Sequence, residues 1–251
     1  MIRPLPASLV FLSLFACGHD GPEFTRINAR FAEPSIDVSP GEHELNLGGN
    51  YLVNGLIEWK DGYLFVPSAA ANEDDTPLLI WLHGGGGDAE STRYMFEVAE
   101  EYGVAVLTLD ARHNTWDGID SPYIRDVPFI NEALTYTFQR IKVDQSRIAL
   151  GGLSDGGAYA LAIGRTNGDF FSHLIAVAPG PLTPPGPPVG SPRVLVMHGA
   201  RDNVYPTMLS RRLIVPGLES EGYNVTYIEF DGPHWATEAA MHEILRWFTS
   251  T

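Results

Sequence analysis

The sequence predicts an α/β fold in which a mostly parallel central sheet carries helices on both faces. Several apolar runs lack the alternation of a half-exposed strand, which is typical of strands buried on both sides. These runs occupy residues 78–82, 104–109, 147–151, 174–178, 194–198 and 225–230. Longer amphipathic segments separate or follow most of them, as crossover helices would. Sheets of this kind bind ligands at the carboxyl ends of their strands, so functional residues are expected in the loops there.

Composition favours one folded domain. The chain has 251 residues, 44% of them hydrophobic, which can bury a large core without disulfides. The formal net charge of −15 argues against nucleic acid, and against an anionic membrane surface, as direct electrostatic partners.

The N-terminus has the pattern of an export signal. Arg3 precedes an apolar stretch over residues 5–16 that is too short to span a membrane comfortably. The stretch ends Leu-Phe-Ala-Cys, which resembles the lipobox of bacterial lipoproteins. We therefore expect a signal peptide over residues 1–16 and a lipidated Cys17 that anchors the exported protein to a membrane, in the periplasm or at the cell surface. An ordinary secretory signal, in which Cys17 has no special role, is the alternative.

The next segment is polar and irregular. Residues 18–40 contain three prolines, and we interpret residues 17–40 as a flexible tether to a folded domain over residues 41–251. Residues 43–47 and 63–67 predict early antiparallel strands. Helix signals, including an acidic cap and a proline in the first turn at residues 126–128, predict helices over residues 126–141, 155–164, 207–221 and 236–248.

One motif predicts a catalytic nucleophile. Residues 152–156 read Gly-Leu-Ser-Asp-Gly and follow directly on the apolar run at residues 147–151. A strand that turns sharply into a helix around a serine is a nucleophile elbow, and its flanking glycines are needed where a Cβ would collide with a neighbouring strand or helix. The turn would present the hydroxyl of Ser154 at a helix N-terminus. Most Gly-x-Ser-x-Gly sequences are ordinary turns, so this motif alone does not establish a hydrolase. A base, an acid and an oxyanion hole are also required.

An acid and a base follow Ser154 in the required order. A serine hydroxyl needs an imidazole to take its proton, and that imidazole needs a carboxylate to hold one tautomer. Asp202 lies just beyond the run at residues 194–198, and His234 lies just beyond the run at residues 225–230. Three neighbouring strand ends would therefore bring Ser154, Asp202 and His234 together. Asp202 could instead cap a helix or turn. Asp231 and Glu229, which lie close to His234 in sequence, are the less favoured acids and are expected to be structural.

An oxyanion hole is expected from two backbone amides. One would come from Asp155, the residue after the nucleophile. The other would come from the glycine run that follows residues 78–82, with Gly85 the favoured donor, because glycine lets the backbone approach a substrate closely.

Taken together, these motifs resemble the phospholipase/carboxylesterase group of the α/β-hydrolases. The resemblance covers about residues 75–249 and rests on the motifs at residues 83–87, 126–130, 152–156, 167–173, 198–206 and 230–234. It implies an α/β-hydrolase fold, with Ser154 as nucleophile, Asp202 as acid and His234 as base. It also implies hydrolysis of small-molecule or lipid carboxylic esters, as by a carboxylesterase or lysophospholipase, without a metal or organic cofactor.

Other candidate residues are aromatic or imidazole side chains. Trp116, Tyr123 and Trp235 are placed in loops, where they either line the acyl or alcohol pocket or simply pack. His83 and His198 each end a strand before a glycine, and we expect structural roles in which their ring nitrogens bind backbone groups. No spacing of His, Cys, Asp and Glu suggests a metal site.

Two other functions fit the same motifs. A peptidase or polyester depolymerase could use the same scaffold, and a binding lipoprotein could keep the shell of a hydrolase after losing activity. The second alternative is disfavoured because the serine, aspartate and histidine all remain.

Overall fold

The computed structural model describes residues 23–48, 50–53, 56–59, 61–72 and 75–250. The predicted signal peptide and Cys17 lie outside them. Ten strands are described: β1 (Gly41–Glu44), β2 (Asn50–Val53), β3 (Leu56–Trp59), β4 (Gly62–Val66), β5 (Thr76–Leu82), β6 (Ala105–Leu109), β7 (Val143–Leu153), β8 (His173–Val177), β9 (Arg193–Gly199) and β10 (Val225–Phe230). The helices are α1 (Tyr94–Tyr102), α2 (Asp126–Phe138), α3 (Asp155–Thr166), α4 (Val215–Ser220) and α5 (Glu238–Thr249).

The main sheet has eight strands in the order β1-β4-β6-β5-β7-β8-β9-β10. β1 and β4 are antiparallel to their neighbours, and the pairs from β6 to β10 are parallel. β2 and β3 form a separate antiparallel pair. The predicted fold class and the early antiparallel strands are therefore confirmed. Among the described helices, none is long and apolar enough to cross a membrane.

Both faces of the sheet are covered, as the apolar runs predict. In β5, Leu78 and Ile80 pack on the face covered by α2 and α3, while Leu79 and Trp81 pack on the face covered by α1 and α5. All four side chains are fully buried. Because alternate residues of a strand face opposite sides, an uninterrupted apolar run is what a sheet covered on both faces requires.

The segment that precedes β1 is packed on the domain. The side chain of Asn167 accepts a hydrogen bond from Ile27 N (2.7 Å) and donates one to Thr25 O (2.9 Å), and it is fully buried. Phe31 stacks on Phe170 with ring centroids 5.6 Å apart, and Ser35 N donates to Gln139 O. The prediction of a flexible tether over residues 17–40 therefore does not fit residues 25–35, which are fixed by these contacts.

The predicted helix over residues 207–221 is irregular at its centre. A π-helical turn at Ser210–Ile214 leads into α4, and Val215 N donates to Ser210 O, five residues back. Pro216 follows in the first turn of α4 and has no N–H to donate to the carbonyl four residues earlier. A π turn before the proline accommodates this missing bond.

Candidate active site

Ser154 occupies the turn between β7 and α3. Its backbone has φ 54° and ψ −117°, a conformation that costs a non-glycine residue roughly 1–3 kcal/mol. The turn is held because Ser154 N donates to Val177 O and Ser154 O accepts from Ala158 N. A Cβ at Gly152 would lie 2.7 Å from Leu82 O, and one at Gly156 would lie 2.4 Å from the same atom. The two flanking glycines are therefore required by the close approach of β5.

The hydroxyl of Ser154 lies in line with an imidazole and a carboxylate. His234 Nε2 is 2.9 Å from Ser154 Oγ, and His234 Nδ1 is 2.6 Å from Asp202 Oδ2. These distances permit His234 to carry a hydrogen on Nδ1, donate it to Asp202 and keep Nε2 free to accept the serine proton. The three residues that the sequence analysis selected are thus brought together at the carboxyl ends of β7, β9 and β10.

The carboxylate of Asp202 is fully buried but well supplied with donors. Its Oδ1 accepts hydrogen bonds from Val204 N and Tyr205 N, both at 2.8 Å. Burial acts to raise the pKa of Asp202, but the hydrogen bonds from His234, Tyr205 and Val204 outweigh it and hold the pKa below its ordinary value. Asp202 is therefore ionised at neutral pH and can stabilise an imidazolium at His234.

The glycine loop after β5 lies beside the first turn of α3. Gly86 N donates to Asn114 O and Gly87 N donates to Gly84 O, which fixes the loop. The amide of Asp155 lies in the first turn of α3, where backbone N–H groups have no acceptor within the helix. Gly85 faces Asp155 so closely that a Cβ on it would lie 2.3 Å from Asp155 Oδ2. The two predicted oxyanion residues are therefore neighbours.

His83 fixes the start of the same loop. His83 Nε2 accepts a hydrogen bond from Ala111 N at 3.0 Å, and His83 Nδ1 lies 2.7 Å from Gly84 O, to which it donates. This arrangement confirms the expected structural role, with both ring nitrogens bonded to backbone.

Sequence comparison finds similarity to a curated protein that is named as a putative esterase. No protein-family model matches the sequence. The chain is 29% identical over 151 residues to "Putative esterase NocK" of Nocardia uniformis subsp. tsuyamanensis. The aligned region covers 56% of this chain and 44% of that protein. It thus spans less than half the length of that curated relative.

Solved structures give broader coverage. FphF, a fluorophosphonate-binding serine hydrolase of Staphylococcus aureus, superposes with a TM-score of 0.62 at 16% identity, over 85% of this chain and 100% of that one. The S-formylglutathione hydrolase FrmB of the same species gives 0.61 at 15% identity, over 80% and 97%. The chain has the α/β-hydrolase fold. The predicted α/β-hydrolase fold is confirmed, and the sequence is similar to that of a putative esterase.

A cavity of about 650 Å³ opens beside Ser154. Its walls are the glycine loop, the residue before Ser154 and the start of α5; they comprise Gly84, Gly85, Gly87, Ser91, Tyr94, Leu153, Trp235, Ala236, Thr237, Glu238 and Met241. Trp235 is 59% exposed, so its ring is available to a substrate, as the sequence analysis expected for a pocket residue.

The other two predicted pocket aromatics are structural. Trp116 is fully buried, donates from Nε1 to His83 O at 2.9 Å and packs on Tyr159. Tyr123 also stacks on Tyr159 and donates from its hydroxyl to Thr183 O. Both lie outside the cavity lined by Leu153 and Trp235, so the pocket interpretation is corrected to the packing alternative.

Tyr94, Leu153 and Met241 are cavity residues that the sequence analysis missed. Two of them lie in helices and one at a strand end, where apolar side chains normally belong to the core. Within the ranges that the structure describes, no group of three or more His, Cys, Asp or Glu side chains is placed to hold a metal ion.

The close approach of Gly85 to Asp155 leads to a prediction. Gly85→Ala places the new Cβ against Asp155 Oδ2, which accepts a 2.7 Å hydrogen bond from Thr115 Oγ1, so the carboxylate or the glycine loop must shift. We expect kcat for p-nitrophenyl butyrate to fall about tenfold, less than the roughly 100-fold loss typical when a whole oxyanion donor is removed. Gly217→Ala is the control, because a Cβ there meets nothing within 4 Å. Equal kcat values for the two variants would mean that the contact between Gly85 and Asp155 does not position the predicted oxyanion amides.

Proposed function

We propose that this protein is a serine hydrolase that cleaves carboxylic esters through an acyl-enzyme intermediate. The observation that supports it most is the hydrogen-bonded series from Ser154 Oγ through His234 to Asp202, with both contacts at 2.9 Å or less. Similarity to esterases agrees with this assignment. A binding protein without activity would have no need of an imidazole aligned with a strained serine.

In the proposed reaction, His234 Nε2 takes the proton of Ser154 as Oγ attacks the ester carbonyl carbon. The amides of Gly85 and Asp155 donate to the carbonyl oxygen as it gains negative charge. His234 then gives the proton to the alcohol oxygen, which leaves as the C–O bond breaks. Water attacks the acyl-enzyme by the same route and releases the carboxylic acid, while Asp202 stabilises the imidazolium in both halves.

The cavity indicates the kind of ester. Its walls beside Ser154 include Leu153, Trp235 and Met241, which favour an apolar acyl group. Burial of each methylene group contributes about 0.8 kcal/mol. We therefore assign the cavity to the acyl chain of a small-molecule or lipid ester, as in a carboxylesterase or lysophospholipase.

This assignment is tested with p-nitrophenyl esters of increasing acyl length. We expect kcat/KM to rise from acetate to hexanoate, and Trp235→Ala to lower it about tenfold for hexanoate but less than twofold for acetate. The control Phe24→Ala removes a similarly exposed aromatic ring, 54% exposed, from the N-terminal segment. Equal losses with both esters in Trp235→Ala would refute the acyl-chain assignment, whereas no turnover of any ester by the wild type would refute the proposed function.

We further propose that the protein is exported and anchored through a lipidated Cys17. Two observations support this proposal: the lipobox-like sequence that ends at Cys17, and the packing of the segment after it against the folded domain. Ile27 is bound to Asn167, at the end of α3 opposite Ser154. The 12 residues of α3 span about 18 Å, so the anchor would join the domain on the side away from the active site, leaving the cavity open to exported substrates.

A further inference from the structure

The catalytic carboxylate has a second imidazole neighbour. His198 Nε2 lies 3.0 Å from Asp202 Oδ2, the same oxygen that lies 2.6 Å from His234 Nδ1. The side chains of His198 and Asp202 are both 0% exposed. A backbone partner near the site was expected for His198, and Tyr205 O is one, but the contact with Asp202 was not expected.

The surroundings of His198 determine where its proton is. His198 Nε2 is also 3.0 Å from Tyr205 O, so both of its neighbours are acceptors and Nε2 must carry a hydrogen. His198 Nδ1 is 2.8 Å from Ser210 Oγ, whose hydroxyl can donate to it. The hydrogen on Nε2 makes its hydrogen bond to Tyr205 O, and Asp202 Oδ2 lies beside the same nitrogen at 3.0 Å.

We propose that His198 is a positioning residue for the reaction: its Nε2–H donates to Tyr205 O and lies 3.0 Å from Asp202 Oδ2, and it thereby holds the turn over residues 202–205 and the carboxylate that this turn carries. Asp202 Oδ1 accepts hydrogen bonds from Val204 N and Tyr205 N, so the turn that His198 holds also fixes the carboxylate. Its Oδ2 is thereby kept against His234 Nδ1. This inference rests on the proposed function, because positioning matters only if His234 acts as the base.

The central experiment compares His198→Leu with His198→Gln. Leucine removes the donor. We expect kcat for p-nitrophenyl butyrate to fall about 10–100-fold and KM to stay within twofold, because a small displacement of a catalytic group lowers the rate by about this factor. The glutamine amide can donate from nearly the position of imidazole Nε2, so we expect it to restore at least half of the loss on a logarithmic scale. In proton NMR, the downfield signal of His234 Nδ1–H should shift in the leucine variant and return towards its wild-type position in the glutamine variant.

His173→Leu is the matched control. His173 is also a buried strand histidine, with Nδ1 2.8 Å from a serine hydroxyl, Ser172 Oγ, but it lies at the opposite end of its strand from the active site. Its variant should keep kcat within about twofold, although it loses stability. A similar loss of kcat in the two leucine variants would mean that loss of a buried side chain, and not loss of the Nε2 donor of His198, lowers the rate.

A measurement on the wild type tests the inference without any variant. Long-range nitrogen–proton NMR spectra should place the proton of His198 on Nε2. A proton found only on Nδ1 would overturn the proposal, as would a His198→Leu variant with unchanged kcat. Turnover of the ester by the wild type is scored separately, so failure of the proposed function would be recognised by its own result.

Discussion

Ser154→Ala is expected to lower kcat/KM for p-nitrophenyl butyrate by at least about 10⁴-fold. The methyl group cannot attack the carbonyl, and the remaining rate would come from the oxyanion donors and from substrate binding alone. Alanine has a Cβ like serine, so the strained backbone at φ 54° is neither relieved nor worsened. The contacts of Ser154 N and O with β8 and α3 do not involve the hydroxyl and remain.

The fold of this variant should therefore be intact, with an unchanged circular dichroism spectrum and a Tm within a few degrees of the wild type. Ser220→Ala is the control and should retain full activity. Ser220 is an exposed residue of α4, and its hydroxyl donates a hydrogen bond to Gly217 O within the same helix. Full turnover by a folded Ser154→Ala variant would eliminate Ser154 as the nucleophile.

Asp202→Asn is expected to have the second largest effect, a loss of about 10⁴-fold in kcat. Both carboxylate oxygens accept hydrogen bonds, Oδ1 from two backbone amides and Oδ2 from His234. An amide group must turn its NH₂ towards one set of these donors, which leaves buried groups unpaired. If the NH₂ faces His234, the imidazole adopts the other tautomer, and Nε2 then carries a hydrogen and cannot accept the serine proton.

Asp231→Asn is the matched control for this prediction. Asp231 is the neighbouring acid that sequence reasoning considered, but its side chain is 82% exposed and pairs with Arg201 on the surface. Its amide variant should keep kcat within about twofold, since an exposed ion pair contributes little. Comparable losses in the two variants would mean that the acid of the triad had been assigned incorrectly.

The proposed catalytic residues could be selected from the sequence because the chemistry proposed for them constrains the local sequence. Gly152 and Gly156 are required where the elbow meets Leu82 O, so the motif around Ser154 is visible without a structure. Asp202 and His234 follow the ends of β9 and β10, where a parallel sheet brings its loops together. The order along the chain and the strand pattern were sufficient to select them.

The walls of the cavity could not be predicted in the same way. Trp116 and Trp235 are both aromatic residues in loops, yet one is fully buried and the other is 59% exposed. This difference in exposure depends on which side chains of distant elements lie against each ring, and the sequence around each tryptophan does not predict it. The contact of His198 with Asp202 was missed for a related reason, because a strand-ending histidine usually bonds to backbone.

Helix α1 was missed although its signals were present. Met95, Phe96, Val98 and Ala99 are buried on one face of it, and Gly103 ends it in a left-handed conformation. The packing of residues 25–35 had no comparable signal. Their contacts are side-chain amides and backbone carbonyls more than 100 positions away, such as Asn131 and Asn167.

Labelling with a fluorophosphonate tests the account most directly, because only a serine activated by its neighbours reacts rapidly with it. The probe forms a covalent bond to the attacking oxygen, and peptide mass spectrometry locates the adduct. We expect a single adduct per chain on Ser154, labelling abolished in Ser154→Ala and greatly slowed in Asp202→Asn. An unlabelled wild-type protein, or an adduct on any other residue, would contradict the account.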